Sequence, residues 1–254
     1  MIPLIVLSVA VAMMAIEAAV PGRSWPQVMF WRLRALIFNS IQAAMVWLAG
    51  VAWDGWMMRR RPWSADGLGV AGGVIVGYLA ITFVYYWWHR WRHESSFLWR
   101  WFHQLHHSPQ RIEVITSFYK HPFELLANSA LSSAILYLMV GLGPQAAAQT
   151  VLITGLAELF YHWNVKTPYW LGFIVQRPES HCLHHQEGVH SFNYSDLPVW
   201  DMLFRTFRNP RQWRARCGFG EKEYLVWTMT RGVDVNAAAT TTQNLSGQRN
   251  PPLI

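Results

Sequence analysis

The chain has 254 residues, room for one or two soluble domains, yet 52% of it is hydrophobic, 15% aromatic and only 14% charged, against about a quarter charged in soluble domains. That deficit excludes an ordinary soluble protein and makes lipid part of the expected solvent. A net charge of +7 could suit nucleic acid, but the basic residues are scattered beside apolar runs and alternate with tryptophan, which fits an anionic lipid surface and no nucleic acid.

In chain order, residues 2–20 carry one charge, Glu17, while 35–53 and 70–88 carry none. Each run is near the ~20 residues a helix needs to cross the hydrocarbon. No Lys or Arg precedes the first run and it is long for a signal peptide, so a retained helix is expected. A further apolar stretch from Leu125 to Trp163 is broken by Gly141-Leu142-Gly143-Pro144, which predicts a turn between two antiparallel helices. Five spans leave only Arg59, Arg60 and Arg61 in the loop between the second and third, and the other 18 of the 21 Lys and Arg on the opposite side. The positive-inside rule then makes that side, which carries the histidines, cytoplasmic. The expected location is a plasma membrane, the inner one in a bacterium. Trp87, Trp88, Trp91, Trp99, Trp101, Trp163 and Trp170 cluster at or beyond span ends, as an interfacial belt does. Cys182 and Cys217 form no C-x-x-C pair and imply no disulfide framework. Residues 211–235 read as a C-terminal cytoplasmic segment, and 236–254, poor in charge and rich in Ala, Thr, Asn, Gln and Pro, as a disordered tail.

All eleven histidines lie between positions 89 and 190, and eight form three clusters: His89 with His93; His103, His106 and His107; His181, His184 and His185. Histidines three and four apart share a helix face, so each cluster is expected to aim its imidazoles at one point. The last two clusters share the form H-x-x-H-H. Neutral imidazole is the commonest metal ligand, and eight exceed what one four- to six-coordinate ion can use, so two metals are expected. On a straight helix His89 and His103 would stand about 21 Å apart; the chain must bend between them, and Ser95 and Ser96 are the place. His162, at the end of the fifth span, is a ninth ligand candidate, with Asn164 two residues on. Glu158, one turn before His162 in an apolar span, is either a partner that orients a ligand or polar glue between helices.

The segments WHRWRHE, WFHQLHHS, YHWN and SHCLHHQEGVHSFNYS, followed by WDMLFRTF, closely resemble the fatty acid hydroxylase and sterol desaturase superfamily of integral membrane oxygenases, over roughly residues 70–210. The resemblance implies an all-α membrane protein, about four to five transmembrane helices under a cytoplasmic helical cap that holds a histidine-rich dimetal site. It divides the chain into N-terminal transmembrane helices (1–68), a catalytic domain (69–210), and the C-terminal segment and tail. It makes the eight clustered histidines ligands of two iron ions, with His162 as a ninth, although such sites also accept zinc. His121 in YKHPFE and His190 in EGVHSFNYS match positions the family often keeps, with hydrogen bonding that orients the ligands as their expected part. Asp201 and Thr206 look structural.

The implied reaction is O2-dependent hydroxylation of an aliphatic position on a lipid. Desaturation at the same site is a rival outcome. A membrane metal-binding or transport protein is a rival of another class, but transporters place polar ligands near the bilayer midplane, whereas these histidines follow span ends. The sequence shows no cytochrome b5 segment, Gly-rich dinucleotide fingerprint or iron–sulfur cysteine set, so electrons are expected from a separate protein, such as a ferredoxin or a cytochrome with its reductase. Arg205, Arg208, Arg211, Arg214 and Arg216 form a basic face for such a donor or, equally, for anionic lipid headgroups.

Overall fold

Backbone in hydrocarbon has no water to bond, so a long apolar run satisfies its own N–H and C=O groups by coiling. A computed structural model describes residues 2–237, and every regular element in it is helical; the one β feature among the described residues is an isolated bridge between Gln186 and Cys217. Helix α1 is Ile2–Ala19. Helix α2 is Trp31–Arg59, with a π-helical turn at Gly50–Asp54. Helix α3 is Gly69–Glu94. The helical run α4 covers residues 96–107, with a π-helical middle at Trp99–His103. Helix α5 is Pro122–Ser133, continued by a π-helix at Ala134–Met139. Helix α6 is Pro144–Tyr161, α7 is Pro178–His184, α8 is Pro198–Leu203 and α9 is Val226–Thr230. Proline stands in the first turn of α5, α6, α7 and α8, where its missing N–H costs nothing.

Two helices are long and apolar enough to cross a membrane, Trp31–Arg59 and Asp66–Glu94; Leu4–Ala19 is a shorter apolar helix. The expected turn falls between Met139 and Pro144. Helices α3 and α6 run close because α3 offers glycine at the contact: a Cβ on Gly77 would stand 2.7 Å from Leu142 Cδ1 and 2.9 Å from Thr150 Oγ1. Around this seam lies a core of Ile81, Ile135, Leu136, Leu142, Ala146 and Ala147.

The two ends of the bundle differ. At one, the loop after α2 closes on the α5–α6 turn: Ala65 N donates to Gly141 O (2.9 Å), and Arg61 bonds both Asp66 and the same carbonyl. At the other, everything that carries histidine gathers, together with the loop between α1 and α2. There the carboxylate of Glu17 accepts from Val114 N and Asn164 N, tying α1 to two loops. The segment 211–235 wraps the same end: Gly218 N donates to His185 O, Phe219 N to Ser108 O, and Gln104 Nε2 to Val233 O. Of the tail expected over 236–254, all but the first two residues lies outside the described residues.

Candidate metal centre

Helix α3 stops at Glu94 because Ser95 leaves helical space (φ −102°, ψ 119°), and its hydroxyl caps the next run by accepting from Leu98 N. The chain folds back there, as the spacing of the clusters requires, and the His89 and His103 rings come to lie 4.7 Å apart. His162 follows directly on α6, while α7 carries His181 and His184, with His185 as its C-cap.

Nine histidines meet in two sets. One holds His89, His93, His103, His107 and His184; the other holds His106, His162, His181 and His185, and in each set the candidate ligand atoms all lie within 4.8 Å of one another. Each cluster was expected to converge on a single point. The H-x-x-H-H clusters divide instead: first and last histidines (His103 with His107, His181 with His185) stay together, and the middle one (His106, His184) joins the opposite set. Helix geometry explains this, since positions i and i+4 differ by only about 40° around the axis whereas the adjacent i+3 and i+4 differ by about 100°. Two adjacent histidines cannot converge, so each motif serves both sets. The sets adjoin, with the His107 and His185 rings stacked at 4.1 Å.

The spacing inside the sets suits metal ions. His181 Nε2 stands 3.0 Å from both His162 Nε2 and His185 Nε2, and His107 Nε2 stands 3.1 Å from His103 Nε2. Two nitrogens each about 2.1 Å from a shared ion are about 3.0 Å apart at a right angle and about 3.4 Å at the tetrahedral angle. The Nε2 atoms of His89, His93 and His184 are buried without any hydrogen-bond partner, a costly arrangement unless an ion takes the lone pairs.

The opposite ring edges are held. His89 Nδ1 bonds Tyr194 O (2.8 Å), His184 Nδ1 bonds Phe192 O (2.7 Å) and His162 Nδ1 bonds Glu158 O (2.9 Å). Because a carbonyl only accepts, each of these rings carries its proton on Nδ1 and leaves Nε2 bare. His190, Phe192 and Asn193 all have positive φ (41°, 69° and 50°), a rare conformation for side-chain-bearing residues, in the loop that presents the carbonyls of Phe192 and Tyr194. Asp201 braces it, accepting from Tyr194 N, Ser195 N and Thr206 Oγ1. Behind His103 the buried Glu124 carboxylate and the buried Arg92 guanidinium pair with each other, and each stands 3.1 Å from His103 Nδ1. His107 Nδ1 faces His190 Nδ1 at 3.1 Å.

Burial pushes His103, His106, His107, His181 and His185 well below the ordinary imidazole range, and the crowding of the rings against one another, with Arg92 near His103 and Lys120 near His106, adds to the effect. It brings His184 to about 3 and His190 to about 4. The rings are neutral near pH 7, the form that binds metal.

The structure places the remaining candidates as follows. Glu158 pairs with Lys120, so its carboxylate ties α6 to the loop before α5, while its backbone carbonyl orients His162. Asn164 does not face the histidines; its side chain clasps Arg23 N and Arg23 O, each at 3.0 Å. His121 lies outside both sets as well: Nδ1 caps α5 by accepting from Phe123 N, and Nε2 donates to Thr230 O. His190 alone of these four places its side chain against a clustered ring. Sequence reasoning missed Glu124, Arg92 and Gln176, whose amide stands 3.3 Å from His181 Nδ1. Glu124 did leave a signal, a carboxylate opening an apolar run.

The described residues thus form an all-helical protein with nine histidines in two adjoining sets, each of which could hold a metal ion. The chain belongs to the fatty acid hydroxylase family, whose model matches residues 74–206. It is 35% identical over 141 residues to an ornithine lipid hydroxylase of Rhizobium tropici, covering 54% of this chain and 42% of that one. To the alkylglycerol monooxygenase of Danio rerio it is 28% identical over 186 residues, 70% of this chain and 38% of the other. To the very-long-chain aldehyde decarbonylase GL1-9 of Oryza sativa subsp. indica it is 27% identical over 136 residues, 52% and 53% of the two chains. The chain thus spans about half or less of the length of these relatives. No solved structure matches it.

Proposed function

We propose that the protein is a membrane-bound, two-iron monooxygenase that hydroxylates an aliphatic position of a lipid, taking oxygen from O2 and electrons from a separate donor protein. The observation that carries this reading is the pair of adjoining all-histidine sets, one with three Nε2 atoms buried without a partner (His89, His93 and His184) and the other with the Nε2 atoms of His162 and His185 each 3.0 Å from that of His181. His89, His93, His103, His107 and His184 would hold one ion, and His106, His162, His181 and His185 the other. When bound, iron would supply the oxygen-activating chemistry that attack on an unactivated C–H bond needs. The chain's own residues do the rest. The carbonyls of Glu158, Phe192 and Tyr194 fix the tautomers of three ligands, and the Glu124–Arg92 pair holds the ring of a fourth, His103. Tyr161 packs at 4.5 Å on the His181 ring and Trp99 at 5.4 Å on His107, which keeps bulk water from the rings.

In this reading α1, α2, α3, α5 with its π-helical extension, and α6 are the five spans, residues 69–210 form the catalytic domain, and the histidine end is the cytoplasmic cap. The clustering of basic residues at that end supports the orientation. The names of the relatives support a lipid substrate.

The test uses detergent-purified, iron-loaded protein with a reductant, a lipid pool and isotopically labelled O2. A lipid product carrying one labelled oxygen is expected. A product lacking two hydrogens, with label only in water, would make the chain a desaturase; loss of a terminal carbon would align it with the decarbonylases. Absence of oxygen consumption, with metal moved across liposomes, would overturn the enzyme reading.

A further inference from the structure

The short helix α8 lies lower than a cap element should. Trp200 Nε1 donates to Thr82 Oγ1 at 3.0 Å, Ser195 Oγ to Thr82 O at 3.3 Å, and the Trp200 ring meets Phe83 at 5.0 Å. Thr82 is seven residues before His89 on α3, so these contacts sit about 10 Å further down the helix than the first ligand. Below them, on the same face of α3, Leu79 and Ile75 are 44% and 61% exposed, as lipid-facing residues of a span would be. Over Phe83 that stripe is covered by α8, and α8 turns an apolar face outward in its place: Val199, Met202 and Leu203 are all exposed, Leu203 to 63%.

A second short element continues the patch. The 3-10 turn Tyr169–Phe173 abuts α8, with the Phe173 ring 5.7 Å from Phe207, and it exposes Trp170, Phe173 and the following Ile174. The patch ends in cations. Arg205 and Arg208 are exposed immediately beyond α8, Arg208 stacked at 4.5 Å on Phe192, and the exposed Arg211 lies at 4.5 Å over Tyr169. An apolar face rimmed by arginine and tryptophan, continuous with the lipid-facing stripe of a span, matches a surface immersed about 5–10 Å into one leaflet.

We infer that α8 and the 169–174 turn are seated in the acyl region of the leaflet nearest the histidines, with the flanking arginines at headgroup level. The inference rests on reading α3 as a span. It goes beyond the metal centre because the same segment carries the supports of two ligands: Phe192 O and Tyr194 O hold His184 and His89, and Asp201 of α8 braces that loop.

Single cysteines at Leu203, Phe173, Ile75 and Glu187, carrying an environment-sensitive fluorophore, test this in phosphatidylcholine–phosphatidylglycerol vesicles. The native Cys182 and Cys217 are buried, and wild type treated identically serves as the blank. Labels at 203 and 173 are expected to lose most of their emission to a nitroxide on the lipid acyl chain and little to aqueous iodide, as the label at 75 should, while the exposed position 187 should respond in the opposite way. If 75 is quenched by the lipid nitroxide but 203 and 173 follow iodide, the seating is wrong and the span stands. If neither quencher reaches 203 and 173, a protein surface such as a second copy covers the patch and the proposal falls. Iodide quenching at 75 would remove the span and this proposal together, without bearing on whether the histidines bind metal.

Discussion

The two histidine sets share one construction but differ in how they are backed. In the five-histidine set, side chains do much of the holding: Glu124 with Arg92 stands behind His103, and His190 behind His107. The four-histidine set relies on lighter supports, with Glu158 O on His162, Tyr119 O at 3.3 Å from His106 and Gln176 beside His181; His185 Nδ1 has no partner at all. One ion would be held by more ligands with a charged group behind them, the other by fewer. The difference teaches that a pair of ions bound by identical side chains need not be equivalent, because orientation and basicity are set behind the ring.

The largest effect is expected from removing a ligand at the junction. His107→Ala and His184→Ala should abolish activity and metal retention in the five-histidine set, read by metal analysis, which should otherwise approach two equivalents. One tightly bound ion in fully active protein would end the two-set description. Next, Glu124→Gln should cost about 10–100-fold in metal affinity or activity, and Glu124→Ala, which strands the buried Arg92, about 3–5 kcal/mol of stability. If either substitution empties the four-histidine set first, the backing described here is assigned to the wrong ion.

Acid should act through the same rings. Their folded-state pKa values are depressed, His184 to about 3 and His190 to about 4, whereas unfolded imidazole titrates near 6.5. The unfolded chain therefore binds more protons between these values, so stability is full above about pH 6.5 and falls as pH drops toward 4. Burial acts oppositely on Asp196 and Asp201, raised to about 7 and about 6, which add stability as pH falls through those values. A thermal-melt series of metal-free protein should therefore hold above pH 7 and lose stability most steeply between about 5 and 4, and stability that still rises there would contradict the burial of neutral rings. Dialysis against a chelator should empty the four-histidine set first, giving an intermediate with one ion. The smallest effects belong to residues that back a ligand without a charged group, such as His190, or back none, such as His121. His190→Ala should weaken the five-histidine set less than Glu124→Gln does, and His121→Ala should lower stability with little change in metal content.

The sequence by itself determined that the chain is helical, that apolar runs flank a histidine-rich region, which nine histidines are gathered together and that the chain must turn near Ser95. These are local properties: composition, the i, i+3 and i+4 spacings, and a serine pair at a length mismatch. Only the tertiary structure decided how the nine divide. Adjacent histidines diverge on a helix, and which set receives each depends on the packing of α3, α4, α6 and α7 against one another. The backing groups were equally out of reach. Glu124 meets His103 from 21 residues away, and the carbonyls of Phe192 and Tyr194 act through backbone, which side-chain identity does not report. For the same reason Asn164 and His121, which sequence proximity and motif placed near the ligands, turned out to clasp Arg23 and Thr230 instead. Spacing along one helix is written in the chain; the direction from which a second helix arrives is set by the burial of apolar surface across the whole bundle.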